Sequence, residues 1–145
     1  MSEHELVELP DSLHFTSGYK HQVKYDFRVY IHELLVYGEV KYDFIHLKDG
    51  FLDLLAGFGW DGASGLTIDT ISSFRGSSLH DAIYRLIRQG LLPPEVKELA
   101  DDILEFVCVH DGMWEWRAGG WHKAVELCGD ASVDPRNKIK VRIAP

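Results

Sequence analysis

A chain of 145 residues is long enough for one domain with its own core and short for two. Its 46% apolar and 12% aromatic content argues against disorder. A formal charge of -8 disfavours non-specific binding to nucleic acid, and the late basic residues Arg136, Lys138, Lys140 and Arg142 are too few and too alternating to make a nucleic-acid patch.

No stretch approaches the roughly 18 apolar residues of a transmembrane segment, and the start, MSEHELVELP, lacks the basic-then-apolar build of a secretory signal. The expected location is therefore the cytoplasm of the cell that makes the protein. Cys108 and Cys128 stand outside any metal-type pair, so both are expected as buried, reduced thiols.

Residues 1–20 mix polar residues with a few apolar anchors, and Pro10 argues against a long regular element there. Val23, Tyr25, Phe27, Val29 and Ile31 then alternate with Lys24, Asp26, Arg28 and Tyr30, the period of a half-buried strand. The segment HELLVYG at 32–38 extends that strand or forms a short helical turn, and Gly38 ends it. Residues 44–47 predict a second strand, and Lys48-Asp49-Gly50 a turn whose glycine takes positive φ. Residues 51–58 are apolar but broken by Gly57, which suits either a strand or irregular chain.

The second half predicts helices. Ser77 or Ser78 is placed as a cap, and Leu79, Ile83, Leu86 and Ile87 recur at helical spacing until Gly90. Pro94 suits the first turn of a second helix from about Glu95, with an apolar stripe of Val96, Leu99, Ile103, Phe106 and Val109. His110-Asp111-Gly112 terminates it. Trp114, Trp116 and Trp121 flank a break at Gly119-Gly120, a third helix covers about 121–128, and a last short strand follows Pro135. The expected fold is a single α+β domain over 1–145, with a sheet-rich N-terminal half packed on a C-terminal group of about three helices.

The best site candidate lies where the loop WDGASG at 60–65 precedes SSLHDAIYRLI at 77–87. His80 and Asp81 are adjacent on a helix, so their side chains diverge by about 100° and divide a task rather than share one target. Tyr84 lies near both, four residues beyond His80 and three beyond Asp81. A working imidazole needs its second nitrogen oriented, usually by a carboxylate. The short turn from Gly90 to Pro94 makes the two helices neighbours and offers Asp101 or Asp102 for that role. Asp101 is preferred because Ala100 before it allows close approach, while Asp102 is expected to face solvent more fully. Asp61 and Asp81, with carbonyls of the glycine-rich loop, have the hard oxygen chemistry that calcium takes. The same residues also suit a structural role, with Asp61 in an Asx-turn and His80 as a satisfied core histidine.

At these residues the chain resembles the DUF1353 family, found in tailed phages and prophages. The resemblance covers roughly 23–129 and rests on Gly57-Phe58 with Asp61-Gly62-Ala63-Ser64, His80-Asp81 with Tyr84, Ala100-Asp101 with Leu104, and the segment 121–129. Gly65 stands where a proline-containing turn is common. That pattern is in turn similar to the core of prokaryotic phospholipase A2, with its calcium loop and its HD..Y helix. This likeness implies a phospholipase A2-like helix pair, with His80 as general base and Asp101 as its partner, while Tyr84 is placed by its spacing to brace either His80 or Asp81. It also implies Asp61 and Asp81 as ligands of a calcium ion (Ca2+), and a phospholipid or other ester as substrate. The calcium would polarise the ester carbonyl while His80 deprotonates the attacking water. Cys108 and Cys128 lack the disulfide pattern of the secreted phospholipases.

Two other readings compete. A zinc site would gather His80, His110 and His122, although no short-spaced motif requires it. A non-catalytic phage structural or accessory protein, associated with the virion or bound to a phage or host protein, would use the cluster as a clamp and the aromatics at 114–121 as partner contacts. In the catalytic reading, Trp60, Phe74 and Trp121 are candidates for an apolar entrance.

Overall fold

The computed structural model describes residues 13, 15–16, 21–60, 71–128 and 133–137. Apolar alternation builds two small antiparallel sheets in the first half, and helical periodicity builds three α-helices in the second, so the chain is a mixed α+β fold. The last strand expected after Pro135 falls outside the described residues, apart from a short 3-10 turn at Pro135–Asn137.

The first sheet holds β1 (Phe15–Thr16), β2 (His21–Val23) and β7 (Gly59–Trp60), in the order β1-β2-β7. The second holds β3 (Phe27–Tyr30), β4 (Glu39–Tyr42), β5 (Ile45–Lys48) and β6 (Phe51–Leu54), in the order β3-β6-β5-β4. The single strand expected over 23–31 is thus two strands in different sheets. Val23, Phe27, Val29 and Ile31 do point inward, but the chain bends between them and leaves Tyr25 56% exposed. Asp26 fastens that bend by accepting the Ala56 amide at 2.8 Å. Segment 32–38 takes the helical alternative, a 3-10 turn at His32–Tyr37 that buries Leu34 and stops at Gly38 with φ 65°.

Lys48 pairs with Phe51, so Asp49 and Gly50 form the whole connection between β5 and β6. Both have positive φ, 50° and 82°, the hairpin geometry whose twist matches that of the flanking strands. Ile45, Leu47, Leu52 and Leu54 turn into the core, while Arg28 meets its register partner Asp53 on the outer face at 2.6 and 3.0 Å.

Helix α1 (Ile71–Arg88) begins well before the serines expected to cap it. Ser77 and Ser78 instead donate backwards within the helix, to the carbonyls of Phe74 at 3.2 Å and Arg75 at 2.8 Å. Gly90, at φ 75°, ends the helix as expected. Helix α2 (Val96–His110) follows, and its buried face is Val96, Ala100, Ile103, Leu104, Val107 and Cys108. The expected stripe is therefore rotated: Leu99, Phe106 and Val109 lie at its margin. Helix α3 (Glu115–Cys128) runs straight through Gly119-Gly120, where a break was expected. The two glycines cost helix propensity without interrupting the hydrogen-bonded ladder. Among the described residues no helix is long and apolar enough to cross a membrane.

Helices α1 and α2 run antiparallel. Arg75 meets Asp111 at one end of the pair, and His80 meets Asp101 further along. Gly76 sets their separation, because a Cβ there would stand 2.8 Å from the Cys108 sulfur and 3.1 Å from the Leu104 carbonyl oxygen. Gly76→Ala is expected to cost about 1–3 kcal/mol through overpacking. Gly120→Ala, with nothing within 4 Å of the added Cβ, should instead gain up to about 1 kcal/mol of helix propensity. Urea unfolding of both variants checks the contrast.

Cys108 is fully buried in this crossing, as expected. Burial, helped by the Asp111 charge and opposed by Arg117, pushes its thiol up to about 12. The native protein should therefore leave Cys108 unmodified by a thiolate-selective reagent at pH 8, and rapid labelling without denaturant would contradict this environment.

Candidate active site at the helix pair

Four-residue spacing brings His80 and Tyr84 onto one face of α1, their ring centroids 3.9 Å apart. That face looks onto Asp101, which Ala100 allows to approach closely and which is 1% exposed. His80 Nε2 lies 2.9 Å from Asp101 Oδ1, and the Tyr84 hydroxyl donates to the same oxygen at 2.5 Å. Lys97, one turn earlier on α2, donates its ammonium to the other oxygen, Oδ2, at 2.9 Å. Burial alone would raise the Asp101 carboxyl, but the hydrogen bonds from His80, Tyr84 and Lys97 outweigh it and hold the group below the usual carboxylate range.

An ionised carboxylate only accepts hydrogen bonds, so His80 must present a proton on Nε2. In the neutral ring the lone pair is then on Nδ1, which makes no hydrogen bond among the described residues. The buried Asp101 carboxylate thus fixes the orientation of the His80 ring through Nε2. The expected pairing of His80, Tyr84 and Asp101 is present, and Asp101 rather than Asp102 is the partner.

Asp81 diverges from His80 as adjacency on a helix requires. Its Oδ2 lies 2.7 Å from Arg85 Nη2, four residues on. Arg85 also donates to the Gly59 carbonyl and lies over the Phe58 ring at 4.6 Å, so it ties α1 to the start of the glycine-rich loop. Burial raises the Asp81 carboxyl above its ordinary value, against the pull of Arg85, His80 and Arg88. Oδ2 is shielded from solvent and makes no well-directed hydrogen bond, yet a third of the side chain remains exposed. The Asp81 charge is thus already offset by a guanidinium. Asp61 and the remaining candidate donors at 61–65 lie outside the described residues.

Asp102 is more exposed than Asp101, as expected, but it has a partner of its own. His122 Nε2 on α3 lies 2.6 Å from its Oδ1. His122 Nδ1 also faces Glu126 at 3.6 Å and Glu105 at 4.0 Å. The zinc reading is corrected here. Among the described residues no three His, Cys, Asp or Glu side chains form a group able to hold a metal ion, so His80, His110 and His122 do not converge on one. His110 stacks on Phe106 instead, and His80 and His122 are each taken by a different aspartate.

Two aromatics proposed for an apolar entrance are also accounted for. Trp60 is 2% exposed and donates its indole N–H to Ser77 Oγ at 3.0 Å, which makes it a core residue joining β7 to α1. Phe74 packs partly buried against the same core. The side chain of Trp121 lies outside the described set. A groove of about 410 Å³ lies between the start of α2 and the end of α3, lined by Pro94, Lys97, Glu98, Asp101, His122 and Glu126 among others.

Sequence reasoning missed Lys97 and Arg85. Each stands four residues from the aspartate it binds, so helical spacing alone held the signal. Comparison with protein-family models, with curated proteins and with solved structures finds no match for the chain.

Proposed function

We propose that the chain is a hydrolase of the phospholipase A2 type, acting on a phospholipid or other ester, in which the α1–α2 pair supplies a His–Asp dyad. The observation that supports this reading is the 2.9 Å contact between His80 Nε2 and a buried carboxylate, which leaves Nδ1 as the proton acceptor. His80 then takes a proton from water as the water attacks the ester carbonyl. Asp101 stabilises the imidazolium that results, and Tyr84 fixes the carboxylate oxygen that His80 uses. The proton passes next to the leaving alkoxide, which restores the neutral ring. Calcium on Asp61, Asp81 and loop carbonyls would supply charge for the developing oxyanion, and in this proposal it belongs to the same site.

The test is hydrolysis of a defined phospholipid and ester panel by the unmodified protein and by His80→Ala, each with calcium and with chelator. Turnover that disappears in His80→Ala supports the dyad, and loss with chelator supports the calcium. Folded protein that turns over nothing on the panel rejects the reading. An Asp61→Asn protein of unchanged calcium affinity would remove Asp61 from the ligand set.

A second reading has one observation behind it. Trp114, at the start of α3, is 71% exposed, which suits a non-catalytic phage accessory protein that docks on a phage or host protein. In that case His80, Tyr84, Lys97 and Asp101 are a clamp between helices, and Trp114→Ala would abolish partner binding in a protein that still folds.

A further inference from the structure

We propose that Lys97 is a positioning residue for the His80–Asp101 dyad: it fixes the carboxylate through the oxygen that the imidazole does not use, and it anchors that carboxylate to α3. The catalytic meaning of this role rests on the hydrolase reading, whereas the clamp itself rests on geometry alone.

A carboxylate turns about its last bond in a broad, roughly two-fold well, so contacts to one oxygen do not define its plane. His80 and Tyr84 both use Oδ1. Lys97 Nζ, at 2.9 Å, holds Oδ2. The side chains of Lys97 and Asp101 are only 13% and 2% exposed, which separates this contact from a screened surface pair at the same helical spacing. Other contacts restrict where the ammonium can go. It donates to the Glu126 carbonyl at 3.3 Å and lies 5.9 Å from the centre of the Tyr84 ring. One cation therefore touches the aspartate, the tyrosine that braces it and the end of α3. Displacing Lys97 frees Oδ2, loosens the plane of the carboxylate and with it the direction of the His80 N–H bond.

A structural ion pair would change stability and nothing else. A positioning residue also changes how firmly the imidazole N–H is held, and that can be read without substrate. In the full-length protein, proton exchange at His80 Nε2 is followed by nitrogen-resolved NMR for the unmodified chain, Lys97→Met and Lys97→Arg. Lys97→Met is expected to speed exchange by about tenfold, the equivalent of one charge-assisted hydrogen bond. Lys97→Arg, which keeps charge and donors, should restore protection. In the ester assay Lys97→Met should lower kcat with KM unchanged.

Folded Lys97→Met with unmodified exchange overturns the proposal, as does Lys97→Arg that fails to rescue a faster rate. Should Lys97→Met not fold, the unmodified protein still decides. A Lys97 ammonium signal in slow exchange and coupled to the Asp101 carboxylate carbon supports the clamp, and a signal averaged with solvent rejects it. The two hypotheses fail separately. A flat ester panel with the NMR effect present removes the hydrolase and keeps the clamp, whereas active protein whose His80 ignores Lys97 does the reverse.

Discussion

Asp101→Asn is expected to lower stability by about 3–5 kcal/mol at neutral pH, because it leaves a mostly buried ammonium without its counter-charge. Asparagine keeps the size of the side chain and one acceptor oxygen. It replaces the other oxygen with an NH2, so a donor now faces either the Lys97 ammonium or the His80 N–H and Tyr84 hydroxyl together. The pH dependence identifies the cause. The Asp101 carboxyl is held low in the folded protein, while an unfolded aspartate titrates near 3.9. Its contribution is therefore complete above about pH 4 and disappears as pH falls through the lower folded value. Asp81 has the opposite sign: a raised carboxyl favours the folded state at low pH and loses that contribution as pH rises. Urea unfolding of both proteins over a pH series removes Asp81 by subtraction. The gap between them should be level at neutral pH and narrow below about pH 4. A gap that stays constant to pH 2 would show that the charge of Asp101 is not what stabilises the fold. In the hydrolase reading the same variant also loses turnover, since the imidazole no longer has an acceptor that selects its tautomer.

The dyad was legible because every step leading to it is local. The i, i+4 spacing of His80 and Tyr84, the short Gly90–Pro94 connection and the small Ala100 together put Asp101 opposite His80. Lys97 follows from the same spacing rule and needed only to be asked for. The elements that sequence misplaced are those decided by tertiary packing. The alternation over 23–31 continues through Tyr25, and only the bend held by Asp26 separates the two sheets. Strand β4 lies at the edge of its sheet, with Val40 and Tyr42 only half-covered between the exposed Glu39 and Lys41, and four residues of alternation are a short signal. The start of α1 was hidden because serine is as good a cap as it is a back-bonded helix residue, and the sequence does not say which. The face of α2 was rotated because Ala100 and Cys108 are too small and too mildly apolar to mark a stripe, yet close helix packing selects them. Asp61, the other half of the calcium expectation, lies outside the described residues.

Arg75→Met should lower stability by about 3–5 kcal/mol, as removing one member of a desolvated ion pair does. Arg75 on α1 grips Asp111 with two parallel contacts, one of them at 2.9 Å, and the two side chains are only 12% and 10% exposed. Such a fork fixes direction as well as distance. Asp111 also sits at the C-cap of α2, where the helix dipole disfavours a negative charge. With methionine at 75 that charge remains buried, at the wrong end of a helix, beside a thiol that it already pushes up. The double variant Arg75→Met with Asp111→Leu should recover most of the loss, since it removes both desolvated charges and fills their space. A double-mutant cycle in urea measures the coupling, and a single Arg75→Met cost under about 1 kcal/mol would reclassify the contact as a screened surface pair. Gly76, next to Arg75, keeps α1 close to α2 at this end, since a Cβ there would stand 2.8 Å from the Cys108 sulfur. Gly76 and Arg75 hold the crossing at one end while Asp101 and its three donors hold it further along. If the two stations are independent, Arg75→Met will leave the His80 N–H exchange rate unchanged, and a rate that rises with it would mean that the angle between the helices is what sets the dyad.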